Sequence, residues 1–106
     1  SAWIHQAKAV VWNWYGGMEG GTALAEVLFG KVNPSGKLPE TFYKKHTDCS
    51  AHAMGEFPGD TKVRYKEGVF VGYRYNDTFD VEPEFCFGHG LSYTSFFYTG
   101  GTVTRK

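Results

Sequence analysis

Apolar residues occupy both faces of residues 8–15. Val10, Trp12 and Trp14 alternate with Ala9, Val11 and Tyr15, and Asn13 alone interrupts the second face. That pattern predicts a strand buried on both sides, as in a parallel sheet covered by helices. Gly16-Gly17 ends the run, and the period then changes. Across Glu19–Phe29, Leu24, Val27 and Leu28 follow the i, i+3, i+4 spacing of a helix. Glu19 is expected in its first turn, where the helix dipole favours an anion. Gly30 stands where a helix end favours a left-handed residue. Strand, glycine turn and helix make one βα unit.

Beyond the helix the pattern loosens. Asn33-Pro34-Ser35-Gly36 is a turn by residue type, and residues 44–62 are polar without a sustained period, which predicts a surface loop. Alternation returns at Val69, Val71, Tyr73 and Tyr75 against Phe70, Gly72 and Arg74, predicting a strand closed by a turn at Asn76-Asp77. Residues 92–98 read as a further strand. No internal repeat is present.

Composition narrows the function classes. The 106 residues balance 11 basic against 11 acidic side chains, so no net field draws the chain to nucleic acid or to an anionic membrane. Aromatics reach 18%, which suits a β-rich core or a surface that stacks on sugar rings. No apolar run is long enough to span a membrane. The two cysteines, Cys49 and Cys86, are too few and too far apart for a disulfide framework, and they are expected to stay unpaired with each other. Ser1-Ala2-Trp3-Ile4 carries neither a starting Met nor a signal peptide and reads as an internal start, which leaves the compartment unknown.

Several constellations touch on chemistry. Gly16-Gly17-Met18-Glu19-Gly20-Gly21 sits between strand and helix, where phosphate loops occur. Counted from Gly17, Glu19 takes the second glycine position of the dinucleotide fingerprint; counted from Gly16, Met18 does. An acidic side chain there repels a pyrophosphate, so a structural turn is the better reading. The Walker pattern fails at Lys31 and Leu38. His46, Cys49 and His52, with Glu56 following, have a spacing that a zinc ion could use, but a fourth strong ligand is lacking and the expectation is no metal. Glu19, Glu67, Asp77, Asp80, Glu82 and Glu84 are the carboxylates weighed for glycoside hydrolysis. Glu67 stands out because its strand also carries Arg74, and a structural ion pair between them is the expectation. Trp12, Trp14, Tyr65, Tyr73 and Tyr75 could stack on sugars, though aromatics at strand spacing are more often core.

Three longer strings carry a resemblance. Gly17–Phe42 (GMEGGTALAEVLFGKVNPSGKLPETF), Tyr65–Tyr75 (YKEGVFVGYRY) and Phe85–Phe96 (FCFGHGLSYTSF) resemble, in order and separation, consecutive parts of family 3 glycoside hydrolases of the β-glucosidase type. The resemblance spans Trp3 to Tyr98. It implies an α/β fold: the C-terminal part of an α/β/α sandwich (a flavodoxin-like layer), followed by extended β structure. Residues 1–84 would belong to the sandwich, and 85–106 would lead into a fibronectin type III-like domain. Such enzymes use an Asp on a (β/α)8 barrel as nucleophile and a Glu upstream in the sandwich as acid/base. Neither motif has a counterpart here, so the resemblance carries no catalytic residue, no assignable substrate-binding residue, no metal and no cofactor into this chain. Cys86 stands where the family more usually has Pro.

The implied parent is a retaining β-glucosidase acting on terminal β-linked glucose of β-glucosides or cello-oligosaccharides. The alternatives are a β-xylosidase-type member of the family and a carbohydrate-binding module without catalysis. The partners of this segment would be the barrel and the rest of the sandwich. The isolated chain is expected to be inactive and to associate with itself.

Overall fold

The computed structural model describes residues 2–105, which fall into two contact units. One joins Asn13–Ser35 to the stretch from Leu91 onward; the other joins the stretch up to Trp12 to Gly36–Gly90.

The first unit is built on helix α1, Gly20–Leu28. The turn before it requires glycine. A Cβ on Gly16 would lie 2.8 Å from the Cα of Gly20, and Gly17 adopts a φ of 66°. Glu19 is the N-cap residue rather than a member of the first turn, and its side chain makes no capping bond. The other end closes as expected. Gly30 is left-handed at a φ of 74°. Lys31 N–H donates to the Glu26 carbonyl (2.8 Å) and Gly30 N–H to that of Val27 (3.1 Å), the double bond of a Schellman motif. The expected turn at residues 33–36 does not form. Asn33 is used elsewhere: its Oδ1 accepts from Tyr93 N–H (2.8 Å) and from the Ser92 hydroxyl (3.1 Å). Tyr93 OH donates to the Val27 carbonyl at 2.8 Å, so the C-terminal stretch is tied to α1.

The second unit begins with a 3-10 turn at Ile4–Gln6. Phe42 and Phe85 form an isolated antiparallel bridge, and Leu38 exchanges bonds with Gly88 and His89, donating to His89 and accepting from Gly88 (both 2.8 Å). Gly90 closes this pairing, because a Cβ there would sit 2.3 Å from the Gly36 carbonyl oxygen. The predicted surface loop is partly helical, with a 3-10 turn at His46–Asp48 and helix α2, Ser50–Ala53, whose Ser50 is buried.

The largest departure from expectation lies at residues 69–75. Tyr73–Phe79 is a helix, α3, and Asn76-Asp77 lies inside it rather than in a turn. Gly72, at φ 60° and ψ −131°, turns the chain out of the extended path immediately before the helix. Tyr75 and Phe79, four apart, then pack at 5.0 Å with planes tilted by 40° on one helix face. Alternation over so few residues did not separate the two periods.

The strands predicted at 8–15 and 92–98 carry no ladder either. Among the described residues there is one bridge and no sheet, so the expected α/β sandwich with extended β structure is not seen among them. The physical reason is that a strand needs a neighbour for its backbone N–H and C=O groups. No hydrophobic residue among those described is fully buried. Among the described residues, no helix is long and apolar enough to cross a membrane.

Candidate functional site

The second unit contains the larger cleft, about 410 Å³, at the point where several of its elements meet. The segment after Leu38 supplies Glu40, Thr41 and Tyr43; the start of α2 supplies Cys49 and Ser50. Glu67, Val71, Gly72 and Tyr73 come from the approach to α3, and Phe87 from beyond the Phe42–Phe85 bridge. Thr41 is 7% exposed, and its buried Oγ1 has no hydrogen-bond partner. The Tyr43 phenol is pushed up to about 12, first by burial, then by the neighbouring Cys49, Glu40 and Tyr75. Tyr73 and Phe87 pack at 5.2 Å with planes 30° apart. In the other unit a smaller cavity of about 300 Å³ lies beside α1, lined by Thr22, Ala25, Glu26, Phe29 and Lys31.

The sequence-nominated carboxylates divide. Glu67 lines the cleft, and Glu40, which sequence reasoning did not single out, lines it too. Glu82 is paired on the surface with Lys44, whose ammonium holds it below the ordinary carboxylate range. Glu19 stands at the N-cap of α1 without a side-chain capping bond, Asp77 lies within α3 and Asp80 ends that helix in the left-handed region. The expected Arg74–Glu67 ion pair is absent among the described residues. Arg74 is exposed, and its guanidinium lies 5.6 Å over the ring of adjacent Tyr73. Once residues 73–79 coil, Arg74 no longer follows the alternation that suggested the pair.

The loop histidines meet each other rather than a common centre. The His46 and His52 rings stand edge to face at 5.1 Å, and His52 leans on Phe57 at 4.8 Å. Cys49 is a hydrogen-bonding neighbour of Tyr43, while Glu56 accepts from Arg64 N–H (3.1 Å) and pairs with Lys66. Among the described residues no group of three or more His, Cys, Asp or Glu side chains is placed to hold a metal. Cys49 and Cys86 are free thiols.

Trp12 and Trp14 are each about half exposed, and Trp12 packs edge to face on Phe42 at 5.2 Å. That exposure does not mark a sugar platform, because Tyr15, Met18, Phe29, Phe97 and Tyr98 are more exposed still.

Comparison with known proteins bears on these features. The Glycosyl hydrolase family 3 C-terminal domain matches residues 1–73. The thermostable β-glucosidase B of Acetivibrio thermocellus is 54% identical over 98% of this chain, and a β-glucosidase of Bacteroides ovatus is 50% identical over 98%. The chain spans 14% of the length of each. Among solved structures, β-glucosidase 3B of Thermotoga neapolitana in complex with glycerol superposes with a TM-score of 0.82 at 44% identity, covering 89% of this chain and 14% of that one. Sequence identity and superposition alike therefore place the chain among glycoside hydrolases. More narrowly, it belongs to glycoside hydrolase family 3, to the C-terminal domain of that family.

Proposed function

We propose that this chain acts as part of a longer, retaining β-glucosidase that releases terminal β-linked glucose from β-glucosides or cello-oligosaccharides. The observation that carries the reading is 54% identity, over nearly all of this chain, to a β-glucosidase seven times its length. Within that enzyme, residues 1–84 complete an α/β/α sandwich of flavodoxin-like type, and 85–106 lead into a fibronectin type III-like domain. A (β/α)8 barrel and the remainder of the sandwich are its partners, and they supply the nucleophile and the acid/base. The role of this segment is structural. The uncovered apolar residues support that division, since they need partner elements to bury them. A β-xylosidase-type specificity is the alternative within the family; a free-standing carbohydrate-binding module is disfavoured by apolar exposure spread over the whole chain rather than confined to one aromatic row.

Retaining hydrolysis needs two carboxyl groups about 5–5.5 Å apart, one attacking the anomeric carbon and one protonating the leaving oxygen. The native-length protein is expected to hydrolyse an aryl β-glucoside and to release β-glucose first, as followed by NMR of the nascent anomer. The purified 106-residue chain is expected to show no turnover. Turnover by the chain alone that disappears in Glu67→Gln would overturn the reading and make Glu67 catalytic.

A further inference from the structure

We propose that Asn76 accepts an N-linked glycan only while the chain is unfolded, and that the attached glycan and the folded α3 segment exclude each other. The inference stands apart from the enzyme reading, because it rests on one tripeptide and its surroundings.

Asn76-Asp77-Thr78 has the Asn-X-Ser/Thr form that N-glycosylation requires, with X other than Pro. The other two asparagines lack it: Asn13 has Tyr15 two residues on, and Asn33 is followed by Pro34. Such an acceptor belongs on an exposed loop, since the glycan is bulky and hydrated. Here the setting is the opposite. All three residues lie within α3, and Asn76 is 5% exposed. Residues two apart on a helix stand about 200° apart around its axis. Exposed Thr78 therefore faces away from buried Asn76. A transferase that reads the Asn amide and the Thr hydroxyl in one site cannot grip both while α3 is formed.

The amide is also engaged. Its Nδ2 donates to the Val81 carbonyl at 2.7 Å, and Val81 N–H donates back to the Asn76 carbonyl at 3.0 Å. Its Oδ1 is buried as well. Attachment forms a bond from Nδ2 to the anomeric carbon of a sugar carried on a polyprenyl diphosphate. The bond from that carbon to the diphosphate oxygen breaks, its electron pair leaves with the diphosphate, and Nδ2 gives one proton to a base of the transferase. The product amide keeps a single N–H and carries a sugar ring where a hydrogen was. A closely packed site has no room for that ring, so α3 has to leave its seat and the reciprocal bonds with Val81 break. Phe79, packed at 5.6 Å on Phe70 and 5.0 Å on Tyr75, is carried with it.

The test compares two routes for the native-length protein. In one it is translated behind a secretory leader into glycosylation-competent microsomes; in the other it is folded first, then incubated with purified oligosaccharyltransferase and a polyprenyl diphosphate oligosaccharide. Mass spectrometry of the peptide carrying Asn76 reads the occupancy. The first route is expected to modify Asn76, and the second to give occupancy at least about tenfold lower, because access then requires local opening. Thr78→Ala should abolish the modification and Thr78→Ser should keep it. Chains that carry the glycan should lose the hydrogen-exchange protection of the Val81 amide that unmodified chains show. Three outcomes overturn the proposal: the translated chain keeps Asn76 bare, the folded protein is modified to the same extent, or the modified chain protects Val81 as the bare one does.

Discussion

Glu56 holds two donors at once, and that makes it the most constrained carboxylate of the His46–Lys66 stretch. One oxygen accepts from the backbone N–H of Arg64, and the other pairs with the Lys66 ammonium. The Lys66 side chain, the Arg64 amide and the nearby positive charges lower its pKa from the ordinary 4.5. A carboxylate whose folded value is depressed contributes stability above the unfolded value and loses it as pH falls through the folded one. Glu56→Gln is therefore expected to weaken protection of the Arg64 amide near neutral pH. The gap from wild type should close as pH falls below about 4.5, the unfolded value. Hydrogen exchange at Arg64 measures this, and a gap that widens on acidification would refute it. Sequence spacing alone noted Glu56 only as the acid that follows His46, Cys49 and His52. Its real partners lie eight and ten residues on, across an irregular stretch whose path no local pattern encodes.

At the scale of elements, α1 was readable and α3 was not. The first has an amphipathic repeat and a left-handed glycine at its end, both local signals. The α3 segment mixes aromatics at spacings that fit a strand as well as a helix, and what settles it is a backbone choice at Gly72 together with Asn76. Asn76 is buried at 5% exposure, and its Nδ2 donates to the Val81 carbonyl at 2.7 Å, locking the chain that leaves the helix. Its Oδ1 is also buried but has no partner. Asn76→Ala loses one neutral hydrogen bond and removes an unsatisfied acceptor, so the expected cost is about 1 kcal/mol. Asn76→Asp should be worse, above about 2 kcal/mol, because it sets a second acceptor against the Val81 carbonyl and buries charge. Denaturant melts of the native-length protein, read with exchange of the α3 amides, give the order. Equal effects from the two substitutions would mean that the second acceptor and its charge cost nothing at this site.

For the whole molecule, the physical problem is apolar surface without cover. The motif strings in the sequence led to the family, and the comparisons agree with that family. The sheet was not legible as this chain's own property, because residues 8–15 and 92–98 are strand-like in composition yet form no strand ladder among the described residues. The cleft was illegible for a related reason: Glu40, Thr41, Ser50 and Phe87 are brought together over nearly fifty residues of chain with no shared period. The same deficit of partners makes a prediction about the isolated chain. Phe29, Phe97 and Tyr98 are each at least 85% exposed, and Leu91 and Val103 are mostly exposed as well. Covering one such side chain gains about 1.5–3 kcal/mol, whereas association costs an estimated 4–15 kcal/mol in lost freedom. One or two contacts fall short of most of that range, whereas four or five covered together gain about 6–15 kcal/mol and span it. The purified 106-residue chain should therefore associate with itself, with weight-average mass in sedimentation rising with concentration. Replacing Phe97 and Tyr98 by Lys should shift the assembly toward monomer, because these two side chains are 91% and 92% exposed and their loss leaves buried contacts untouched. A chain that stays monomeric at high concentration and unfolds cooperatively would show that these residues are covered by some rearrangement within the chain itself.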